Sequence, residues 1–204
     1  LDGSNYVKEQ YQELENRISI LKENNCIKKL IIFLIGDKPD SLLYTNMKMK
    51  KCKKLNLDVE RITIPNSDIP TNYEMLDNQE LIIFKNKIIS KIQSFNEDRR
   101  VNGIMVQLPL PKVIKAFTQE ILDSINVTKD VDGLTSKSLG LLAMGNPTFI
   151  SSTPKGAIAL VEKYNIKLKG KYVVIIGNSS LVGIPLSLML TGRGATVTIC
   201  HIDT

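Results

Sequence analysis

The stretch Val101-Asn102-Gly103-Ile104-Met105-Val106-Gln107-Leu108-Pro109-Leu110-Pro111 constrains the fold most. Ile104 to Val106 is an apolar run with two β-branched residues, the signature of a strand covered on both faces, as in a parallel sheet. Gln107 then sets one uncharged amide, donor and acceptor together, at the strand's carboxyl end. Open α/β sheets bind ligands at that end. Pro109 and Pro111 fix φ and exclude helix just beyond it, so the loop holds one shape. Taken alone, the segment is equally a buried strand with an incidental glutamine.

The rest of the chain alternates in the same way. The spacing predicts an amphipathic helix over 5–25, a strand over Lys29–Ile35 ending at Gly36-Asp37, and a helix over Ser41–Leu55. A strand over Leu57–Ile64 and a helix over Glu80–Phe95 follow. Helices alternating with strands across short connections predict a parallel α/β sheet. After Gly133 the character changes. Thr153 reads as an N-cap with Pro154 at the first helical position, opening a helix that runs to about Tyr164. Then come a strand over Tyr172–Ile176, a glycine loop, a helix over Leu186–Thr191 and a strand over Ala195–Cys200. A boundary near 140–153 divides the expected α/β catalytic domain, 1–145, from the start of a Rossmann-like dinucleotide-binding domain, 146–204.

Composition narrows the function. Apolar residues make up 43% of the 204, enough for a real core. No run reaches the roughly 18 apolar residues of a membrane span, so no membrane partner is expected. The chain opens on Leu1 rather than Met, from which removal of an upstream segment is expected. Cys26, Cys52 and Cys200 are scattered, which fits a reducing compartment. The cytoplasm is expected, with a mitochondrion or plastid left open. One histidine, His201, makes a histidine-built metal site or a nucleophile triad unexpected. The net charge of +6 suits a polyanionic small molecule, whereas no Trp and 5% aromatics leave little to stack on bases. No nucleic-acid partner is expected.

Three further segments could carry chemistry. On a helix over 41–55, Ser41, Tyr44, Lys48, Cys52 and Leu55 fall within roughly 40° of one line. Lys48 thus sits on the expected inward stripe, while Lys50, Lys53 and Lys54 lie on the far side. Burial would push its pKa down and make it a proton shuttle near neutral pH. A snorkelling lysine fits the same pattern. Lys129-Asp130-Val131-Asp132-Gly133 is an acidic turn in which Asp132 is placed to meet a ligand if Asp130 caps the turn, or a polar turn with no role. Gly177-Asn178-Ser179-Ser180-Leu181-Val182-Gly183-Ile184-Pro185 joins a strand to a helix whose N-terminus could hold a pyrophosphate. Its spacing is not G-x-G-x-x-G, and a glycine loop kept for packing fits as well.

Together these segments resemble the bifunctional methylenetetrahydrofolate dehydrogenase/cyclohydrolase family across essentially the whole chain. The residues that carry the likeness are Gly36-Asp37, Ser41-x-x-Tyr44-x-x-x-Lys48, Gly103-x-x-Val106-Gln107-Leu108-Pro109-Leu110-Pro111 and Lys129-Asp130-Val131-Asp132-Gly133-Leu134. The likeness continues through Thr153-Pro154-x-Gly156, Gly177-x-Ser179-x-x-Val182-Gly183-x-Pro185 and Ala195-Thr196-Val197-Thr198-x-Cys200-His201. The resemblance implies an enzyme of one-carbon metabolism, feeding purine biosynthesis. It would oxidise 5,10-methylenetetrahydrofolate with a nicotinamide cofactor and hydrolyse the methenyl product to 10-formyltetrahydrofolate. By the same resemblance Lys48 assists proton movement, Gln107 bonds and tunes it, Tyr44 orients the folate and Asp132 holds the pterin. Leu108 and Pro109 line the substrate site. Gly177, Asn178, Ser179, Val182, Gly183, Pro185, His201 and Ile202 bind the cofactor, and a homodimer is implied.

The departures from the family pattern concern the cofactor. NADP is the family default, with Arg where this chain has Asn178 and with Ser and a basic residue where it has Ile202 and Asp203. These residues lean towards NAD or weak cofactor binding, so NADP stands as the expected cofactor with NAD as the alternative. Ser151-Ser152 replaces a usual Pro-Cys, and Lys112 stands where a residue near His is usual. A doubly wound domain has two βαβαβ halves. The sequence stops within the first, so a C-terminal truncation and an uncovered edge at Thr196–Cys200 are expected. The alternative expectation is a truncated folate- or partner-binding protein without redox activity.

Overall fold

The computed structural model of the chain describes residues 1–24, 26, 28–70 and 79–204. These form two compact units, Leu14–Asp130 and Leu1–Glu13 with Val131–Thr204. The division between Asp130 and Val131 falls earlier than the 145/146 boundary read from sequence. The first helix, α1 (Ser4–Glu23), contributes residues to both. The predicted end of that helix at residue 25 lies outside the described residues.

The unit Leu14–Asp130 is built on three parallel strands, β1 (Lys29–Ile35), β2 (Asp58–Ile64) and β3 (Val101–Val106), in the order β2-β1-β3. β1 is central, and Ile31 to Leu34 are completely buried. That explains its unbroken apolar run, since neither face meets water. β1 pairs with β2 from Lys29↔Asp58 to Ile35↔Ile64. Against β3 it runs Leu30↔Gly103 to Phe33↔Val106, after a shift at Lys29. Asn102 is the residue stepped over there, and its Oδ1 accepts the Lys29 amide at 3.1 Å. The strand thereby keeps a backbone donor satisfied across the irregularity.

Two helices connect the strands. α2 (Pro39–Lys54) starts with Pro39 inside its first turn and Asp40 beside it, and ends on Lys51, Lys53 and Lys54. Each suits the helix end it occupies, the proline by its missing donor and the charges by the helix dipole. α3 (Gln79–Glu97) buries Leu81, Phe84, Ile88 and Ile92 at helical spacing. Each such side chain contributes about 1.5–3 kcal/mol of burial. Phe95 meets Phe33 edge to face at 5.9 Å. Beyond β3, a tight 3-10 stretch over Lys112–Phe117 leads into α4 (Thr118–Asp123), neither expected from sequence.

The second unit contains α5 (Ser136–Ala143), α6 (Ser152–Lys163), β4 (Tyr172–Ile176), α7 (Gly183–Thr191) and β5 (Thr196–Cys200). β4 and β5 pair in parallel as a two-stranded sheet, Tyr172↔Thr196 to Ile176↔Cys200. Ile158, Ile175, Met189, Leu190 and Ala195 form its core, covering the face that carries Val173 and Ile175. Helix α6 corrects the sequence reading. It begins at Ser152, with Ser151 rather than Thr153 as the cap, and Pro154 is its third residue. A proline is tolerated there because the first four amides of a helix lack intrahelical partners. The Ser151 hydroxyl donates instead to the Leu181 carbonyl at 2.9 Å, tying the helix start to the glycine loop.

Candidate functional site

In a sheet ordered β2-β1-β3, the chain leaves β1 to one side for β2 and returns to the other for β3. The carboxyl ends of β1 and β3 therefore flank a switch point, where open α/β sheets form their crevice. A cleft of about 550 Å³ lies there, lined by residues that include Gly36, Asp37, Pro109, Leu110 and Pro111. The Leu108–Pro109 peptide is cis. Pro109 is exposed on the cleft wall, and Leu108 is half-buried.

The predicted pairing of α2 with the end of β3 forms beside this cleft. Lys48 Nζ donates to Gln107 Oε1 at 3.1 Å and lies 3.8 Å from Met105 Sδ. Gln107 Nε2 donates to its neighbour's carbonyl at Leu108, 2.8 Å away, and its backbone amide extends the ladder to Phe33 O at 2.8 Å. Both ends of the Gln107 amide are thus engaged, which leaves its oxygen pointing at a three-donor ammonium that has no acceptor of its own. The result is a half-buried cation held in one place at a strand end. Such a group presents N–H donors to a ligand's acceptor or a water that comes within reach.

Met105 is a neighbour the sequence reading missed. The two-residue strand period puts it on the same face as Gln107, so the signal was present. The inward stripe also needs correcting. Ser41 and Leu55 are buried, but Tyr44 is 57% exposed, and the fully buried residue of that turn is Thr45. Thr45 can go inside because its hydroxyl is satisfied locally, donating to Ser41 O at 3.0 Å. Arg61 on β2 reaches both Thr45 Oγ1, at 3.2 Å, and Asn46 Oδ1, at 2.6 Å, fixing this face of α2. Tyr44 consequently presents its ring outward, one turn before Lys48.

In the acidic turn, Asp130 is buried and Asp132 half-buried. The backbone of the turn extends the β3 ladder, with Ile104 N donating to Lys129 O at 2.7 Å and Asp130 bridging Ile104. Lys129 is a second missed contributor. Its ammonium donates to three carbonyls at the end of α3, those of Phe95, Asn96 and Asp98, at 2.9, 2.7 and 2.8 Å. A cation at a helix C-terminus satisfies orphan carbonyls and complements the dipole. Lys48 and Gln107 belong to one compact unit and Asp132 to the other.

The glycine loop lies wholly in the second unit. Gly177 N donates to Cys200 O at 2.8 Å, which holds the loop to the end of β5. Val182 N and Ile184 N both donate to Ser179 O, at 3.3 and 3.0 Å, curling the loop into α7. A Cβ on Gly183 would stand 1.9 Å from Gly177 O, so only glycine lets the loop close on the helix start. A Cβ on Gly177, whose φ is +118°, would meet nothing within 4 Å. Pro185 is buried in the first turn of α7, and Val182 is half-buried. A tight glycine contact below, open space above and a helix N-terminus alongside are what a pyrophosphate requires. Gly177, Asn178, His201, Ile202 and Asp203 line one hollow of about 520 Å³ with Ile176. The residues present therefore fit a dinucleotide.

The catalytic-domain model of the tetrahydrofolate dehydrogenase/cyclohydrolase family matches residues 1–132, and that family's NAD(P)-binding-domain model matches 151–204. The bifunctional protein FolD of Thermodesulfovibrio yellowstonii is 39% identical over 204 residues, covering 100% of this chain and 65% of its own length. That of Helicobacter pylori is 37% identical over 205 residues, with the same coverage of 100% and 65%. The crystal structure of the Campylobacter jejuni bifunctional enzyme FolD, a methylenetetrahydrofolate dehydrogenase/cyclohydrolase, superposes with a TM-score of 0.87 at 35% identity. It is covered to 66%, and this chain to 100%. The chain thus spans about 65% of the length of the curated relatives it matches. With both of its units matched in chain order, the protein belongs to the tetrahydrofolate dehydrogenase/cyclohydrolase family.

Proposed function

We propose that the protein acts on tetrahydrofolate, oxidising the 5,10-methylene derivative to the methenyl cation and hydrolysing that to 10-formyltetrahydrofolate. The observation that carries this reading is the Lys48–Gln107 contact of 3.1 Å at the carboxyl end of β3. We assign folate binding and catalysis to residues 1–145 and the start of the dinucleotide-binding domain to 146–204. The catalytic residues are Lys48, Gln107, Tyr44 and Asp132, with a homodimer as the working assembly.

The roles follow from the chemistry of each group. When bound, the nicotinamide accepts the hydride released from the one-carbon bridge. Water then adds to the methenyl carbon, one proton leaves and the bond to the ring nitrogen opens. Lys48 moves that proton, and Gln107 keeps the ammonium aimed by accepting from it. Tyr44, with its ring outward, lies against the folate, and Leu108 and Pro109 form a rigid wall. Asp132 accepts paired N–H donors of the pterin, a match that suits a carboxylate. Gly177, Asn178, Ser179, Val182, Gly183, Pro185, His201 and Ile202 hold the dinucleotide.

The test follows methenyltetrahydrofolate hydrolysis by loss of absorbance, for this chain and for Lys48→Met, with folding matched by circular dichroism. A fall of at least about 100-fold in the variant is expected for loss of a positioned acid–base group. Equal rates would remove Lys48 from the reaction. Folate binding without hydrolysis in either protein would establish a binding module in place of the enzyme.

A further inference from the structure

We infer that this chain prefers the dinucleotide with a free ribose 2′-hydroxyl, NAD, over its 2′-phosphorylated form, and that Asp203 determines the choice. The inference rests on the dinucleotide reading above and deepens it.

The hollow at the end of β5 is lined by Ile176, Gly177, Asn178, His201, Ile202 and Asp203. The chain holds 27 lysines and arginines and a net charge of +6, yet among the described residues no lysine or arginine lines this hollow. Among the described lining residues, the permanently charged one is an acid, Asp203. A 2′-phosphate needs a cationic fork to replace its hydration, whereas a carboxylate accepts from the free hydroxyl. The position is also the expected one, since Asp203 follows the second strand of a strand–loop–helix–strand unit.

The turn that carries Asp203 is closed on itself. His201 N donates to Thr204 Oγ1 at 3.0 Å, and Thr204 N donates back to His201 O at 3.1 Å. Asp203 N donates to His201 Nδ1 at 3.1 Å. The Asp203 carboxylate lies 3.5 Å from the same ring nitrogen, so backbone and side chain together hold the turn. Asn178, another lining residue, adds an uncharged amide. The Asp203 side chain is 84% exposed, so its carboxylate is open to a ligand in the hollow.

Calorimetric titration of the 204-residue chain with NAD and with NADP, repeated on Asp203→Ser, decides the matter. At low salt, NAD should bind at least about tenfold more tightly, a gap that like-charge repulsion at a few ångströms can supply. In Asp203→Ser the gap should close to within about threefold, chiefly by tighter NADP binding. NADP binding as tightly as NAD in the unaltered chain would overturn the preference and leave the dinucleotide reading intact. A gap untouched by Asp203→Ser would remove Asp203 as its cause. Binding of neither, by a folded chain, would overturn the dinucleotide reading and this inference with it.

Discussion

β1 and β4 carry nearly the same sequence signature and occupy opposite environments. Leu30-Ile31-Ile32-Phe33-Leu34-Ile35 and Tyr172-Val173-Val174-Ile175-Ile176 are both continuous apolar runs. In β1, Ile31 to Leu34 are wholly buried between two partner strands and the covering helices. In β4, Ile175 is buried, while Tyr172, Val174 and Ile176 on the other face are largely exposed, Ile176 to 92%. An apolar run thus specifies a strand without specifying what covers it. The difference bears on function too. The Lys48–Gln107 pair sits at the end of the three-stranded β2-β1-β3 sheet, whereas the glycine loop connects β4 to α7 and is tied to the end of β5.

The largest expected effects test this contrast directly. Phe33→Ala should destabilise its unit by about 3–5 kcal/mol, because a fully buried ring leaves a cavity. Ile176→Ser should shift stability by no more than about 0.5 kcal/mol, as an exposed substitution does. Urea unfolding gives both values, and amide exchange locates them, with β1 amides protected well beyond those of β4. Equal protection of the two strands, or a costly Ile176→Ser, would break the comparison.

A smaller effect is expected at Lys129. Removing its ammonium takes a donor from the carbonyls of Phe95, Asn96 and Asp98, the last of which keeps the Val101 amide, and Lys129→Met should cost about 1–3 kcal/mol. Faster exchange should appear in the last turn of α3 and in Ile104, whose amide bonds to Lys129 O, and not in β4 or β5. Loss of protection throughout both units would show that the two do not respond separately.

What was legible in the sequence follows the same physics. Lys29–Ile35 is read to the residue because its burial leaves no polar interruption. The 3-10 stretch over Lys112–Phe117, α4 and α5 were missed because short helices owe their stability to packing, here of Ile114, Ile121 and Leu122. Tyr44 was turned the wrong way because helical periodicity alone cannot tell that Thr45 would satisfy its own hydroxyl and go inside. Lys48 and Gln107 were both singled out, but no local pattern joins residues 59 apart in sequence. The sheet order does that, and the family resemblance anticipated it. Lys129 was read as part of an acidic turn, and its reach back to α3 carries no local signal.

The smallest effect expected lies at the turn that leads into β3, where Val101 N donates to Asp98 O at 3.0 Å. The Arg100 guanidinium donates to the Asp98 carboxylate at 3.0 and 2.8 Å, and the Arg100 backbone amide adds a bond of 2.9 Å. Together they lower the Asp98 pKa from 3.8 to about 2, the side-chain bonds first. A carboxyl depressed in the folded state stabilises above its unfolded pKa, and that contribution is lost as pH falls through the folded value. The native protein should therefore lose this increment between about pH 4 and pH 2. Asp98→Asn has no such group to titrate, so its urea midpoint should fall less steeply across the same window. The effect is small because the pair is exposed to solvent, and it should shrink further as salt is added. Its place is as informative as its size, since the difference should appear in the β3 amides and leave those of β4 and β5 unchanged. Superimposable pH profiles for the two proteins would mean that the Asp98–Arg100 contact adds nothing to the sheet that carries Gln107.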